Sequence, residues 1–318
     1  MTYAYDPEIA PWLAMVPNGR VTDVRMMRSL GEEAVSTGLP PYEPGIAMEK
    51  RDLTVPGAEG APDVPVRVYE PASRDSDVLP GLLYFHGGGF FMGGIAEFDA
   101  TATRISAEVG AVVVSVGYRL APENPFPAAL EDCYAALVWT AKAASELGID
   151  PDRIGVAGES AGGGLAAAVT LLARDRGGPG LCFQYLASAE LDDRLETPSM
   201  RDYDDVPLWN RPAAQASWDF YLGEGRRGTS EVSPYAAPAR AEDLSGLPPA
   251  FVTACQYDPL RDEDIAYAQR LAHSDVPTEL VLYPGVIHGG VVPESAVSKR
   301  VTSDMISALS RGLKARVA

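Results

Sequence analysis

The chain has 318 residues, 46% of them apolar, which at that length is enough to bury about three quarters of the unfolded surface and excludes disorder. Lys and Arg number 26 against 44 Asp and Glu, and the resulting net charge of −18 repels phosphate backbones and anionic lipid, arguing against nucleic acid as a partner. Only three His and three Cys occur, with neither C-x-x-C nor H-E-x-x-H spacing, so structural zinc and haem attachment are set aside and Cys133, Cys182 and Cys255 read as small apolar core residues. Residues 1–20 show no basic segment followed by an apolar one, and no run of about 18 apolar residues follows anywhere. The expectation is a cytoplasmic protein that does not span a membrane.

In chain order, residues 1–45 carry a helix around 21–35 and then Pro40, Pro41 and Pro44. Residues 53–70 alternate around Val64, Val66 and Val68, which predicts an antiparallel edge hairpin. Short apolar runs at 82–85, 112–116 and 154–157 have the continuous β-rich character of strands buried on both faces of a parallel sheet. Between the last two, residues 127–147 place Leu130, Tyr134, Leu137, Val138 and Ala141 near helical spacing, as a crossover helix needs. Residues 165–173 are Ala/Leu-rich and predict another helix. Residues 190–243 break the rhythm with charge, several Pro, Trp209 and Trp218, and read as an addition sitting over the sheet. Strands at 250–255 and 279–283, a helix at 262–273 and a closing helix at 295–316 complete an α/β fold with a mostly parallel, doubly wound sheet.

Gly158-Glu159-Ser160-Ala161-Gly162 fits G-x-S-x-G, and it stands where the pattern means most, after a strand and before a helix. That turn is strained, and it lifts the Ser hydroxyl out at the carboxyl end of the sheet. Directly after the strand at 82–85 comes His86-Gly87-Gly88-Gly89-Phe90, whose bare glycines offer N–H donors to an oxyanion, with Ala161 supplying another at a helix N-terminus. No Gly-Lys-Ser/Thr follows, so this is not a phosphate loop, and Gly162 to Ala167 fits G-x-G-x-x-A only inside the proposed elbow. Of the histidines, His86 belongs to the glycine loop and His273 to the last turn of a helix. His288 remains as the base, in a loop at the carboxyl end of its strand, where open α/β sheets place their crevice. Chain order in such sites puts the acid before the His, and Asp258, first in the turn after 250–255, is preferred to Asp262 and Glu263, which suit the first turn of the next helix.

Taken together, His86-Gly87-Gly88-Gly89-Phe90, Tyr118-Arg119-Leu120-Ala121-Pro122-Glu123, Phe126-Pro127-Ala128-Ala129, Gly158-Glu159-Ser160-Ala161-Gly162-Gly163, Asp258-Pro259-Leu260-Arg261-Asp262-Glu263 and Tyr283-Pro284-Gly285 up to His288 resemble the hormone-sensitive-lipase-like carboxylesterases, bacterial family IV, of the α/β-hydrolase fold. The resemblance covers residues 50–318. It implies a catalytic domain of 46–189 and 244–318, a mostly helical cap from 1–45 and 190–243, and oxyanion donors at Gly87, Gly88 and Ala161. It also implies no cofactor, a homodimer as a common state, and short acyl chains. Glu159 stands where Asp is commoner, Asn124 where His is frequent, and Gly289-Gly290 where Gly-Phe is usual.

The expected activity is hydrolysis of small neutral carboxylic esters through an acyl-enzyme, with Ser160 as nucleophile, His288 as base and Asp258 as its orienting acid. Phe90, Glu159 and Trp209 are the candidate substrate contacts. Amide or acetyl-group hydrolysis with the same triad, and a non-catalytic small-molecule receptor on the same fold, are the rival expectations. The acidic stretches Asp192-Asp193 and 202–205 read as a solvated face rather than a metal site.

Overall fold

A computed structural model describes residues 3–13, 23–37, 42–74, 76, 78–290, 295–314 and 317. Val21, Pro40, Pro41 and the predicted end of the last helix at Arg316 lie outside them. Two helices, α1 (Ala10–Leu13) and α2 (Val24–Thr37), precede the hairpin β1 (Met48–Val55) and β2 (Val64–Pro71). Then come β3 (Leu79–Phe85), α3 (Asp99–Ile105), β4 (Val112–Val116), α4 (Ala128–Lys142), α5 (Ala144–Leu147), β5 (Ile149–Glu159), α6 (Ala161–Asp175) and β6 (Phe183–Ala187). The insertion carries α7 (Pro198–Asp202) and α8 (Arg211–Leu222), and the chain ends with β7 (Ala250–Tyr257), α9 (Arg261–His273), β8 (Thr278–Ile287) and α10 (Ala296–Gly312).

The strands form one eight-stranded sheet in the order β1-β2-β4-β3-β5-β6-β7-β8. β2 pairs antiparallel with β1 and β4, while every pair from β4 to β8 is parallel. Successive residues of β3 show why its sequence is apolar throughout. Leu83 and Phe85 join the core beneath α4, α6 and α9, whereas Leu82 and Tyr84 join the opposite core beneath α3 and α10. Each face is thus covered by helices, and burial supplies roughly 25 cal/mol for each Å² of apolar surface removed from water.

Two elements differ from the sequence expectation. β6 is an additional strand, and Gln184 interrupts its apolar run; its amide donates to the Pro248 carbonyl at 2.9 Å, which is what allows it to be fully buried. The single crossover helix expected at 127–147 is two, α4 and α5, separated at Ala143.

The parts outside the sheet rhythm pack onto it. Trp218 and Tyr221 of α8 share the core of Phe90 and Phe91, and Ile9 and Leu13 share a smaller one with Cys255, Tyr283, Val286 and Ile287. Asp192 and Asp193 are not a solvated face. Both are buried, because Arg194 and Arg240 neutralise them as bidentate partners, with Arg240 Nε 2.5 Å from Asp193 Oδ1. No helix among the described residues is long and apolar enough to cross a membrane.

Candidate active site

The sheet reverses direction of growth at β3, which has β4 on one side and β5 on the other, and ligand crevices in open α/β sheets form at such a switch point. Phe85 at the end of β3 is registered with Gly158 of β5, so the glycine loop and the Ser160 turn leave the sheet side by side. Ser160 has φ 57° and ψ −123°, a backbone region nearly closed to side chains, and the cost of holding it there is met by the surrounding contacts. Its N–H donates to Ala187 O at 2.9 Å, and its carbonyl accepts from the N–H groups of Gly164 and Glu190, both at 3.0 Å.

His288 follows β8 and Asp258 follows β7, one residue beyond the paired Tyr257 and Ile287, so adjacent strands deliver them together. His288 Nδ1 lies 2.7 Å from Asp258 Oδ2, and His288 Nε2 lies 2.9 Å from Ser160 Oγ. Asp258 is fully buried, and its second oxygen accepts the Leu260 N–H at 2.8 Å. A carboxylate acceptor at Nδ1 places the imidazole proton there and leaves Nε2 free to accept the Ser160 proton. The arrangement can therefore generate an alkoxide-like nucleophile at a buried position.

Gly87 sits against the nucleophile: a Cβ on it would stand 3.4 Å from Ser160 Cβ. Among the described residues none accepts from the N–H of Gly87 or Gly88, and Ala161 opens α6, where the first amides have no intrahelical acceptor. Gly87 and Ala161 thus lie beside Ser160, and Gly88 follows Gly87 in the same loop.

The substrate candidates divide. Trp209 is close, its ring centroid 5.7 Å from that of His288. Glu159 gives its carboxylate to the Tyr84 hydroxyl, and burial pushes its pKa up. Phe90, the third candidate, is 1% exposed, and its ring stacks on Tyr221 at 3.9 Å because α8 covers the loop. The acids of α9 do more than face a helix dipole. Asp264 accepts the Ala189 N–H at 2.8 Å, and Glu263 accepts those of Leu191 and Asp192 at 2.7 and 3.2 Å, bracing the loop that holds the Ser160 carbonyl. Burial raises the pKa of both. Sequence reasoning missed this brace, since nothing local marks Ala189 or Leu191 as partners of residues some 70 positions on. Among the described residues, no group of three or more His, Cys, Asp or Glu is placed to hold a metal ion.

A serine, an imidazole and a carboxylate in relay, beside unused backbone donors at a sheet switch point, define a serine hydrolase site on an α/β-hydrolase fold. Comparison with known proteins agrees and goes further. The model of the alpha/beta hydrolase fold family matches residues 82–292, and the chain belongs to that family, among its hormone-sensitive-lipase-like carboxylic-ester hydrolases. It is 41% identical over 283 residues to carboxylesterase NlhH of Mycobacterium tuberculosis, covering 87% of this chain and 86% of that one. An arylesterase of Saccharolobus solfataricus is 35% identical over 325 residues, covering 97% and 98%. A solved bacterial heroin esterase superposes with a TM-score of 0.94 at 44% identity, covering 98% of each chain.

Proposed function

We propose that the enzyme hydrolyses small, neutral, short-acyl carboxylic esters through a covalent acyl-enzyme. The observation that carries this is the unbroken relay of 2.7 and 2.9 Å contacts from Asp258 through His288 to Ser160. Ser160 Oγ attacks the ester carbonyl carbon as its proton passes to His288 Nε2, and Asp258 stabilises the imidazolium. The carbonyl oxygen becomes an oxyanion held by the amides of Gly87, Gly88 and Ala161. The intermediate collapses, His288 protonates the departing alcohol, and Ser160 keeps the acyl group. Water then attacks with His288 again as base, and the acid leaves.

Support for short acyl chains comes from Trp209, whose indole spans from His288 to Gly89; a Cβ on Gly89 would stand 2.6 Å from Trp209 Cη2. The net charge of −18 favours neutral over anionic esters. Residues 1–45 and 190–243 act as the cap over this pocket, and the arrangement of α8 on the glycine loop supports that role. A homodimer in the cytoplasm completes the reading, supported by β8, a sheet edge on which Leu280 and Leu282 are exposed.

The test is turnover of p-nitrophenyl acetate by Ser160→Ala. A fall of about 10³-fold or more is expected, together with loss of labelling by a fluorophosphonate probe; undiminished turnover would end the proposal.

A further inference from the structure

The amides assigned to the oxyanion lie in a strained loop. Gly88, Gly89 and Phe90 have φ of 118°, 56° and 60° in succession, and a left-handed backbone is unfavourable for a Phe side chain. Contacts within the loop and from outside it fix this shape, and they are made at the carbonyl oxygens. His86 O accepts the Tyr118 hydroxyl at 2.8 Å. Gly87 O accepts from His86 Nδ1 at 2.8 Å, Gly88 O from the N–H groups of Phe91 and Met92, and Gly89 O from the Ser217 hydroxyl at 2.9 Å. Phe90 O takes the Ala121 N–H at 2.9 Å, and Phe91 O takes Arg28 Nε at 2.7 Å.

A trans peptide is planar, so its C=O and the next residue's N–H point in opposite directions. Holding His86 O therefore aims the Gly87 N–H, and holding Gly87 O aims the Gly88 N–H. Resting on the esterase reading above, we propose that Tyr118 and Ser217 are positioning residues of the oxyanion hole: Tyr118 sets the amides of Gly87 and Gly88 from the sheet side, and Ser217 anchors the far end of the loop from α8.

Tyr118 acts twice. Its hydroxyl binds His86 O directly, and its ring stacks on the His86 imidazole at 4.1 Å and 11°, keeping Nδ1 turned to Gly87 O. Burial keeps both partners in the required state, lowering His86 to about 4 and raising Tyr118 well above its ordinary value. The imidazole is neutral, with its one proton at Nδ1, and the phenol remains a donor. Ser217 and Tyr118 are both buried, and the carbonyl oxygen that each hydroxyl binds belongs to the loop, not to Ser160.

The measurements are kcat and KM for p-nitrophenyl acetate, normalised to active sites by fluorophosphonate titration, and the inhibition constant of a trifluoromethyl ketone, whose hemiketal oxygen occupies the same hole. Tyr118→Phe, which keeps the stack, and Ser217→Ala are each expected to lower kcat about ten-fold with KM within about two-fold. Trifluoromethyl ketone affinity falls in parallel, and Ser217→Thr restores both. A merely structural hydroxyl would lower Tm and the titrated fraction while leaving kcat per active site and inhibitor affinity alone, and that result overturns the proposal. If Tyr118→Phe does not fold, the Ser217→Ala and Ser217→Thr pair decides by the same readouts. A wild-type protein without Ser160-dependent turnover would overturn the esterase reading and this proposal together.

Discussion

The backbone N–H of Glu190 donates to the carbonyl oxygen of Ser160 at 3.0 Å, so the loop after β6 holds the strained nucleophile from behind. The carboxyl of the same residue is wholly buried beside the Ser217 hydroxyl. Burial, opposed by the Ser217 hydroxyl and helped by the charge of Asp258, pushes its pKa from 4.5 up to about 8. A carboxyl raised in the fold contributes stability that is full below its unfolded value and is lost as pH climbs through the folded one. Between pH 4.5 and about 8 this group should therefore make the fold less stable as pH rises. Glu190→Gln, neutral at every pH, should flatten that slope in urea unfolding curves taken at pH 5 and pH 8. Parallel slopes for the two proteins would show that Glu190 is already ionised at neutral pH.

Asp258→Asn separates orientation from charge. Leu260 N–H binds Oδ1 at 2.8 Å, so the amide oxygen stays there and the NH₂ replaces Oδ2 opposite His288 Nδ1. Two donors cannot face each other, and the imidazole proton moves to Nε2, where it blocks acceptance from Ser160. We expect kcat to fall about 10³- to 10⁴-fold with KM little changed. A loss of less than ten-fold would mean that another group orients the base.

Gly162 is where the elbow meets the glycine loop. A Cβ there would stand 2.0 Å from Phe85 O and 2.4 Å from His86 O, and both acceptors are backbone that cannot yield. Gly162→Ala should destabilise by about 4 kcal/mol or more, or prevent folding, whereas Gly45→Ala, with nothing within 4 Å, should stay within about 0.5 kcal/mol of the parent. Thermal unfolding of the pair is the check, and equal Tm values would contradict the close approach.

The meeting of Ser160, Asp258 and His288 is legible in the sequence because each sits in a short local context: Ser160 between strand and helix, Asp258 and His288 directly after their strands. The scarcity of histidine narrowed the base to one residue. What was not legible depends on partners distant in sequence. Ser217 reads as an ordinary helix residue until α8 is laid on Gly89, with 128 positions between them, and Arg28 is an exposed-looking helix cation until its guanidinium meets Phe91 O. Asp193 differs from expectation for the same reason, since charge in sequence suggests solvent, whereas Arg240 and the Gly228 N–H make its burial tolerable. β6 was hidden by one polar residue whose hydrogen-bond partner lies in another loop.

That buried pair yields its own test. Asp193 accepts from both Arg240 Nε and Nη2 and from the Gly228 N–H at 2.7 Å, tying three parts of the insertion together. Arg240→Met would strand a buried carboxylate and should cost about 3–5 kcal/mol, while adding Asp193→Asn should recover part of it by removing the unpaired charge. Additive losses in the double variant, read from urea unfolding, would show that the two residues do not act as a pair.

Trp209 bears on substrate choice. Its loop is tied at the base by the Arg211 N–H to Tyr203 O at 3.0 Å, and it lowers the indole between the His288 ring and Gly89, leaving the residue 8% exposed. On the proposed reading, an acyl chain extending from a carbonyl carbon on Ser160 passes that ring. Truncation should therefore admit longer chains without improving the chemistry of short ones. For Trp209→Ala the ratio of kcat/KM for p-nitrophenyl octanoate to that for the acetate should rise about ten-fold or more, with Trp209→Phe between the two, since each methylene accommodated is worth about 1–3 kcal/mol. Removing a large buried side chain also destabilises the fold, by about 3–5 kcal/mol, but a ratio of two substrates on one preparation cancels any loss of folded enzyme. An unchanged ratio would mean that the acyl chain leaves Ser160 by another route and that the indole roofs the alcohol side instead.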